Sequence, residues 1–200
     1  MACIAYFKKD GEDMTENGLI HLYTGDGKGK TTAAIGLAMR AAGAGMKVVF
    51  AQFMKGRDTS ELKSLCKIPE ITVIRNDKDL GWFKKDDEQQ VKEYTEAHNR
   101  ILDEIETFIM NDKCDLLVLD EATYPYNYGI IDKKRLENLF SVCTGGDDEN
   151  TDRKGRAVEI AVTGRDADSF FTERADYITE MKKIRHPYDK GICARVGIEF

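Results

Sequence analysis

No apolar stretch in this 200-residue sequence approaches the roughly 18 residues a membrane-spanning helix needs, and the short run at residues 2–7 is too brief for a signal-peptide core. The expected location is the cytoplasm, with no membrane partner. Basic charge is not in surplus either: 30 Lys and Arg against 36 Asp and Glu leave a formal net charge of -6. That is the wrong sign for a surface built to neutralise a phosphate backbone, so nucleic acid is not an expected partner. The five cysteines, Cys3, Cys66, Cys114, Cys143 and Cys193, include no C-x-x-C pair. Their scatter argues against a zinc site and reads as free thiols in a reducing compartment. The three histidines, His21, His98 and His186, are equally scattered, and none is assigned a catalytic role.

What is present is an ordinary globular composition, 42% hydrophobic and 33% charged, at a length that one hydrophobic core can serve. Residues 1–17 are mostly polar without a clear period and are expected to form a mobile N-terminal segment ahead of a single α/β domain at 18–200. Within that domain, residues 19–23 read as a buried strand, 31–42 as a helix with small apolar side chains on one face, and 47–53 as a second strand. Residues 71–75 give a third strand. Residues 85–110 give a long amphipathic helix with Val91, Tyr94, Ile101, Ile105 and Phe108 on its buried stripe. The apolar run 116–119 suits a central strand buried on both faces. Residues 144–156 lack any large apolar side chain and are expected to be a mobile surface loop. A strand at 158–162, a helix at 166–174, a strand at 177–180 and a closing strand within 194–200 complete the reading. Strands alternating with helices predict a mostly parallel sheet with helices on both faces, whose ligands bind at the carboxyl ends of the strands.

The chemistry concentrates where that rule puts it. Thr24-Gly25-Asp26-Gly27-Lys28-Gly29-Lys30-Thr31 lies between a strand and a helix, the context in which a phosphate-binding loop is credible. Thr24 stands where the strict Walker A pattern has glycine, so this is a variant of that loop. Gly25, Gly27 and Gly29 let the backbone curl and turn amide hydrogens toward an anion at the helix N-terminus. Lys30 would neutralise phosphate charge, and Thr31 would place its hydroxyl on a magnesium ion. Asp120 and Glu121 end an apolar strand, the usual place for a Walker B acid. One of them would hold the metal, and Glu121 could equally prepare a water for ATP hydrolysis. Arg40 lies nine residues beyond Thr31, and its reach to a nucleotide does not follow from helix geometry.

Thr24 to Thr31 with Thr32, Ala33 and Ala34 resembles the signature of the P-loop ATP:corrinoid adenosyltransferases. So do Asp120-Glu121 with Tyr124, Thr163-Gly164-Arg165, Ala175 to Glu180 and the closing Gly197-Ile198-Glu199-Phe200, in the same order. The resemblance runs from about residue 18 to 200 and implies a P-loop NTPase (RecA-like) architecture. It implies transfer of the 5′-deoxyadenosyl group of ATP to Co(I) of a reduced corrinoid, with triphosphate leaving. Cobalt would then be the nucleophile, and the protein would supply positioning and charge stabilisation. The same resemblance implies nucleotide or metal contacts for Asp26, Arg40 and Glu121, magnesium or manganese as cofactor, a homodimer, and an electron-donating flavoprotein or reduced flavin as partner. It also implies aromatic residues that displace the lower cobalt ligand. Trp82 and Phe83 are the candidates, with a cap on the long helix as their other reading. The residues alone leave two rivals: a motor-type ATPase using Glu121 to activate water, and a nucleotide-binding switch without catalysis.

Overall fold

The computed structural model describes residues 18–145 and 157–199. The segment 1–17 and nearly all of the polar loop expected at 144–156 lie outside the described residues. Six strands form one sheet: β1 (Ile20–Thr24), β2 (Val48–Gln52), β3 (Ile71–Arg75), β4 (Leu116–Asp120), β5 (Glu159–Thr163) and β6 (Tyr177–Glu180). Their order is β3-β2-β4-β5-β1-β6, and every pairing is parallel. β2 and β4 are buried at every position, as strands covered on both faces must be.

Alternation along the strands divides the interior into two cores. Val48, Phe50, Leu116, Val118 and Ala161 face α1 (Lys30–Gly43) and α2 (Leu62–Leu65). The helix α1 presents Ala34, Ala38, Ala41 and Ala42, whose small side chains let its axis lie close to the sheet and aim its N-terminus at the carboxyl edge. The neighbouring positions, among them Val49, Ala51, Leu117, Leu119 and Val162, face the other way. They meet α3 (Glu88–Met110), α5 (Lys133–Cys143) and the short helix α6 (Ser169–Thr172). That side is filled by large rings: Tyr126, Phe140, Phe170 and Phe171 lie with centroids 5.0 to 5.9 Å apart in stacked and edge-on pairs.

Several boundaries differ from the sequence reading for identifiable reasons. The long helix α3 begins at Glu88 rather than at residue 85, because the Asp87 carboxylate accepts the Gln90 N–H at 3.1 Å and caps it there. Asp168 likewise accepts the Phe170 N–H at 2.9 Å and sets the start of α6, a single turn where a helix was expected at 166–174. Three helices were not anticipated: the single turn α2, the short α4 (Thr123–Tyr128) around Pro125, and α5, capped by Asp132. The strand expected within 194–200 is absent among the described residues. Ile198 and Glu199 donate their N–H groups back to the Arg195 carbonyl, and the Arg195 side chain grips the Glu199 carboxylate at 3.0 Å. This closes a local turn in place of a ladder, and Val196 and Ile198 stay exposed. No helix of the described residues is long and apolar enough to cross a membrane.

Candidate active site

The strand order places β5 between β1 and β4, so the segments leaving these three strands meet at one edge of the sheet, as ligand sites in parallel sheets do. A cavity of about 650 Å³ opens there, lined by the loop entering α1, by Glu121 and Tyr124 after β4, by Arg165 after β5, and by parts of 183–199. Its size is that of an ordinary small-molecule site.

The loop is shaped by close approach as well as by backbone conformation. Gly25 has φ 97° and Gly29 φ 117°, the left-handed region that favours glycine. A Cβ at Gly25 would lie 2.6 Å, and one at Gly27 2.5 Å, from the Met181 carbonyl oxygen. The segment after β6 packs directly on the loop: the Gly27 N–H donates to Met181 O at 2.6 Å, and the Lys183 N–H donates to Asp26 Oδ1 at 2.8 Å. This last bond holds the Asp26 carboxyl below the usual carboxylate range. Lys30 folds back, its ammonium donating to the carbonyls of Gly25 at 2.7 Å and Gly27 at 2.8 Å. Burial and, after it, the Arg165 charge lower the Lys30 pKa, partly offset by Asp26 and Glu121. No side chain caps α1, and its first turn carries no acidic residue. Its N-terminal dipole therefore faces the cavity without a capping side chain or an acid of its own first turn against it.

Beside the loop, Asp120 is fully buried and hydrogen-bonded on both oxygens. Its Oδ1 accepts the hydroxyls of Thr31 and Thr163, each at 2.8 Å, and Thr163 Oγ1 in turn accepts the Glu121 N–H at 2.9 Å. Its Oδ2 accepts Lys55 Nζ at 2.8 Å and Gln52 Nε2 at 3.3 Å. Glu121 turns out of the strand with φ 62°, a conformation that costs a side-chain-bearing residue about 1–3 kcal/mol and is typically retained at functional sites. Burial raises its carboxyl pKa, with Lys55 pulling the other way. One hydroxyl and two carboxylates make an all-oxygen donor set, which suits magnesium or manganese. Among the described residues no cluster of three or more His, Cys, Asp or Glu could cage a metal. A cation at Thr31, Asp120 and Glu121 would therefore be completed by phosphate oxygens and water, the common arrangement for magnesium.

Residues 16–200 match the profile of the family described as "ATP:corrinoid adenosyltransferase BtuR/CobO/CobP". The chain belongs to this family. It is 30% identical to the corrinoid adenosyltransferase of Escherichia coli K12 over 92% of this chain and 87% of that protein. Similar coverage holds for the Salmonella typhimurium corrinoid adenosyltransferase at 29% identity. The Pseudomonas aeruginosa corrinoid adenosyltransferase is 28% identical over 96% of this chain and 89% of its own length.

Against the site expected for an ATP:corrinoid adenosyltransferase, the structure gathers most of the residues named from sequence. Asp26, Gly27, Lys28, Gly29, Lys30, Thr31, Thr32 and Glu121 line the cavity, with Asp120 behind Thr31. Arg40 is not among them: it lies exposed in the last turn of α1. Trp82 and Phe83 lie outside the cavity and part company. Phe83 stacks on Tyr128 and meets Tyr94 edge-on, each at 5.3 Å, while the Tyr94 hydroxyl donates to the Gly81 carbonyl at 2.7 Å. That is the helix-cap reading for Phe83. Trp82 projects outward at 84% exposure. The rings continue from Phe83 through Tyr128 to Tyr124, 6.2 Å further on, which lines the cavity. Sequence reasoning gave no role to Lys55, Thr163, Arg165 or Lys183. All four sit at the carboxyl ends of β2, β5 and β6 or within three residues beyond them, so the strand-end rule could have flagged them.

Proposed function

We propose that the cavity binds the triphosphate of ATP on the loop Gly25 to Thr32, with Lys30 leaving the carbonyls of Gly25 and Gly27 to meet phosphate oxygens. The reaction class follows from the family: the adenosyl group of ATP is transferred to the cobalt of a corrinoid. In this reading Thr31 and Glu121, with Asp120 behind them, hold magnesium or manganese, which when bound would neutralise charge on the triphosphate. Lys30 and Arg165 stabilise the charge that gathers on the leaving triphosphate. The loop fixes the nucleotide so that its 5′ carbon faces the corrinoid, supplying orientation in place of a protein nucleophile. The observation that carries this reading is the meeting of Lys30, the uncapped N-terminus of α1 and the Thr31–Asp120 hydrogen bond in one cavity.

Trp82 is the residue we assign to the corrinoid side, and Phe83 its support. We further take residues 18–200 as one P-loop domain with 1–17 as a separate segment, acting in the cytoplasm as a homodimer supplied with electrons by a reduced flavin or flavoprotein. The test is anaerobic: purified protein, ATP, magnesium and chemically reduced cobalamin should yield a light-sensitive cobalt–carbon product. No such product with folded protein and Co(I) confirmed spectroscopically would overturn the proposed site.

A further inference from the structure

Lys55 enters the site from β2, and its placement is unusually constrained. The Phe53 N–H donates to the Asp120 carbonyl at 2.9 Å, which ties the end of β2 to the end of β4. Met54 then takes φ 57°, a conformation unfavourable for a residue with a side chain. Its N–H donates to Nε2 of His98 at 3.3 Å, and Nδ1 of His98 donates to the Ile130 carbonyl at 2.8 Å, so the imidazole is neutral with its proton on Nδ1. His98 is only 2% exposed. A strained backbone turn clamped by a buried side chain thus delivers the Lys55 ammonium to 2.8 Å from Asp120 Oδ2 and 3.6 Å from Glu121 Oε1. Burial opposes its charge, but Asp120, Glu121 and the more distant Glu61 outweigh burial and raise its pKa.

We propose that Lys55 is a built-in counter-ion for the Asp120–Glu121 pair, one that keeps both carboxylates aligned while the nucleotide is absent and transfers its charge to the polyphosphate when ATP arrives with its divalent cation. A divalent ion at the same carboxylates and an ammonium 2.8 Å from one of them would repel. The four-carbon stem of lysine lets the head group move without moving the backbone. Space for that movement adjoins the site: a side lobe of about 470 Å³ is lined by Lys55, Thr31, Thr32 and Glu121. The Lys55 side chain is 20% exposed, unlike the fully buried carboxylate it pairs with. The inference rests on the nucleotide reading above, and it adds a phosphate-contacting residue to it.

The test uses the full chain and Mn2+ alone as probe, followed by electron paramagnetic resonance without nucleotide. Lys55→Gln keeps a hydrogen-bond donor toward Asp120 while removing the charge; it should bind Mn2+ at least about tenfold more tightly than the unaltered protein. The same variant should bind ATP in the presence of Mn2+ about tenfold more weakly, because a phosphate contact is gone. Lys55→Arg, which keeps the charge, should leave the nucleotide-free Mn2+ affinity within about twofold. If the glutamine variant does not fold, Lys55→Met is read in its place. Unchanged Mn2+ affinity in a folded charge-removing variant overturns the counter-ion role, and unchanged ATP affinity overturns the transfer to phosphate. Adenosyl transfer by the unaltered protein is measured alongside. If it fails while the Mn2+ shift is seen, the nucleotide reading falls and the counter-ion stands; transfer without the shift removes Lys55 alone.

Discussion

The turn between β1 and α1 turns its bonded groups toward a cavity, whereas the segment leading into α3, held by Asp79, Lys84 and the Tyr94 hydroxyl, exposes its tryptophan. In the first, Asp26, Gly27 and Lys30 each make a hydrogen bond of 2.6 to 2.8 Å to backbone atoms, and the segment after β6 lies across two of its glycines. In the second, the Tyr94 hydroxyl holds Gly81 and the ring of Phe83 packs on Tyr94 and Tyr128, but Trp82 is left outward. On the proposed assignment of the two segments, the difference is in how each substrate is met. Charge on a polyphosphate is best stabilised by groups that need no reorganisation when the reaction occurs. A large ligand with a broad flat face can instead be met by an aromatic side chain that is left exposed.

The sharpest way to break that contrast is Lys30→Ala. If the anchored loop supplies transition-state charge stabilisation, adenosyl transfer falls about 10²–10³-fold while the melting temperature stays close to that of the unaltered protein, since the change removes a ligand-facing charge and little packing. Near-normal turnover would mean the loop is only a turn.

His98 tests the anchoring itself. Burial lowers its pKa to about 4 from 6.5, so the folded protein refuses a proton that the unfolded chain accepts. The stability it contributes is complete above the unfolded value and is lost as pH falls toward the folded one, by about 2 kcal/mol near pH 5. Urea unfolding near neutrality and near pH 5 should therefore show a steeper loss for the unaltered protein than for His98→Gln, by about that amount. Equal losses in both proteins would show that His98 is not held neutral at the base of Lys55.

For Glu121→Gln, a role in holding the metal predicts a magnesium requirement raised about tenfold or more at saturating ATP. An unchanged magnesium titration would make the carboxylate structural. The smallest effect belongs to the exposed loop: Trp82→Ala should weaken corrinoid binding about fivefold, the worth of one aromatic contact, with ATP affinity unchanged. Fluorescence of the chain's single tryptophan should also be quenched on corrinoid binding. If Trp82 excludes a lower ligand from cobalt, the activity loss is larger when Co(II) must be reduced on the protein than when Co(I) is supplied. Equal losses, or no quenching, return Trp82 to an ordinary surface residue.

What sequence could and could not announce follows from locality. The phosphate loop is eight consecutive residues between a strand and a helix, and Asp120-Glu121 end an uninterrupted apolar run; both motifs carry their context with them. All six strands were legible from apolar runs and turn glycines, but their spatial order was not. Lys55, Asp120 and Thr163 meet only because β2, β4 and β5 are neighbours in the sheet, a fact of tertiary pairing that no local pattern states. The missed α5 had a readable stripe, Leu136, Leu139, Phe140 and Cys143 at helical spacing, while Pro125 and three tyrosines disguised α4. The expected closing strand failed for the opposite reason: Val196 and Ile198 alternate as a strand's residues do, yet no neighbouring edge receives them and Arg195 with Glu199 makes the turn instead. Trp82 and Phe83 were named together because the resemblance implies aromatic residues there, and their different packing is a tertiary fact.

The central claim, that the loop holds the triphosphate as a leaving group and not as a phosphoryl donor, is tested most directly by phosphorus NMR of one anaerobic reaction mixture. ATP, magnesium, reduced cobalamin and the protein should give inorganic triphosphate in equal amount to adenosylated corrinoid, and none when the corrinoid is omitted. ADP and phosphate accumulating steadily without corrinoid would contradict it and return Glu121 to the activation of water.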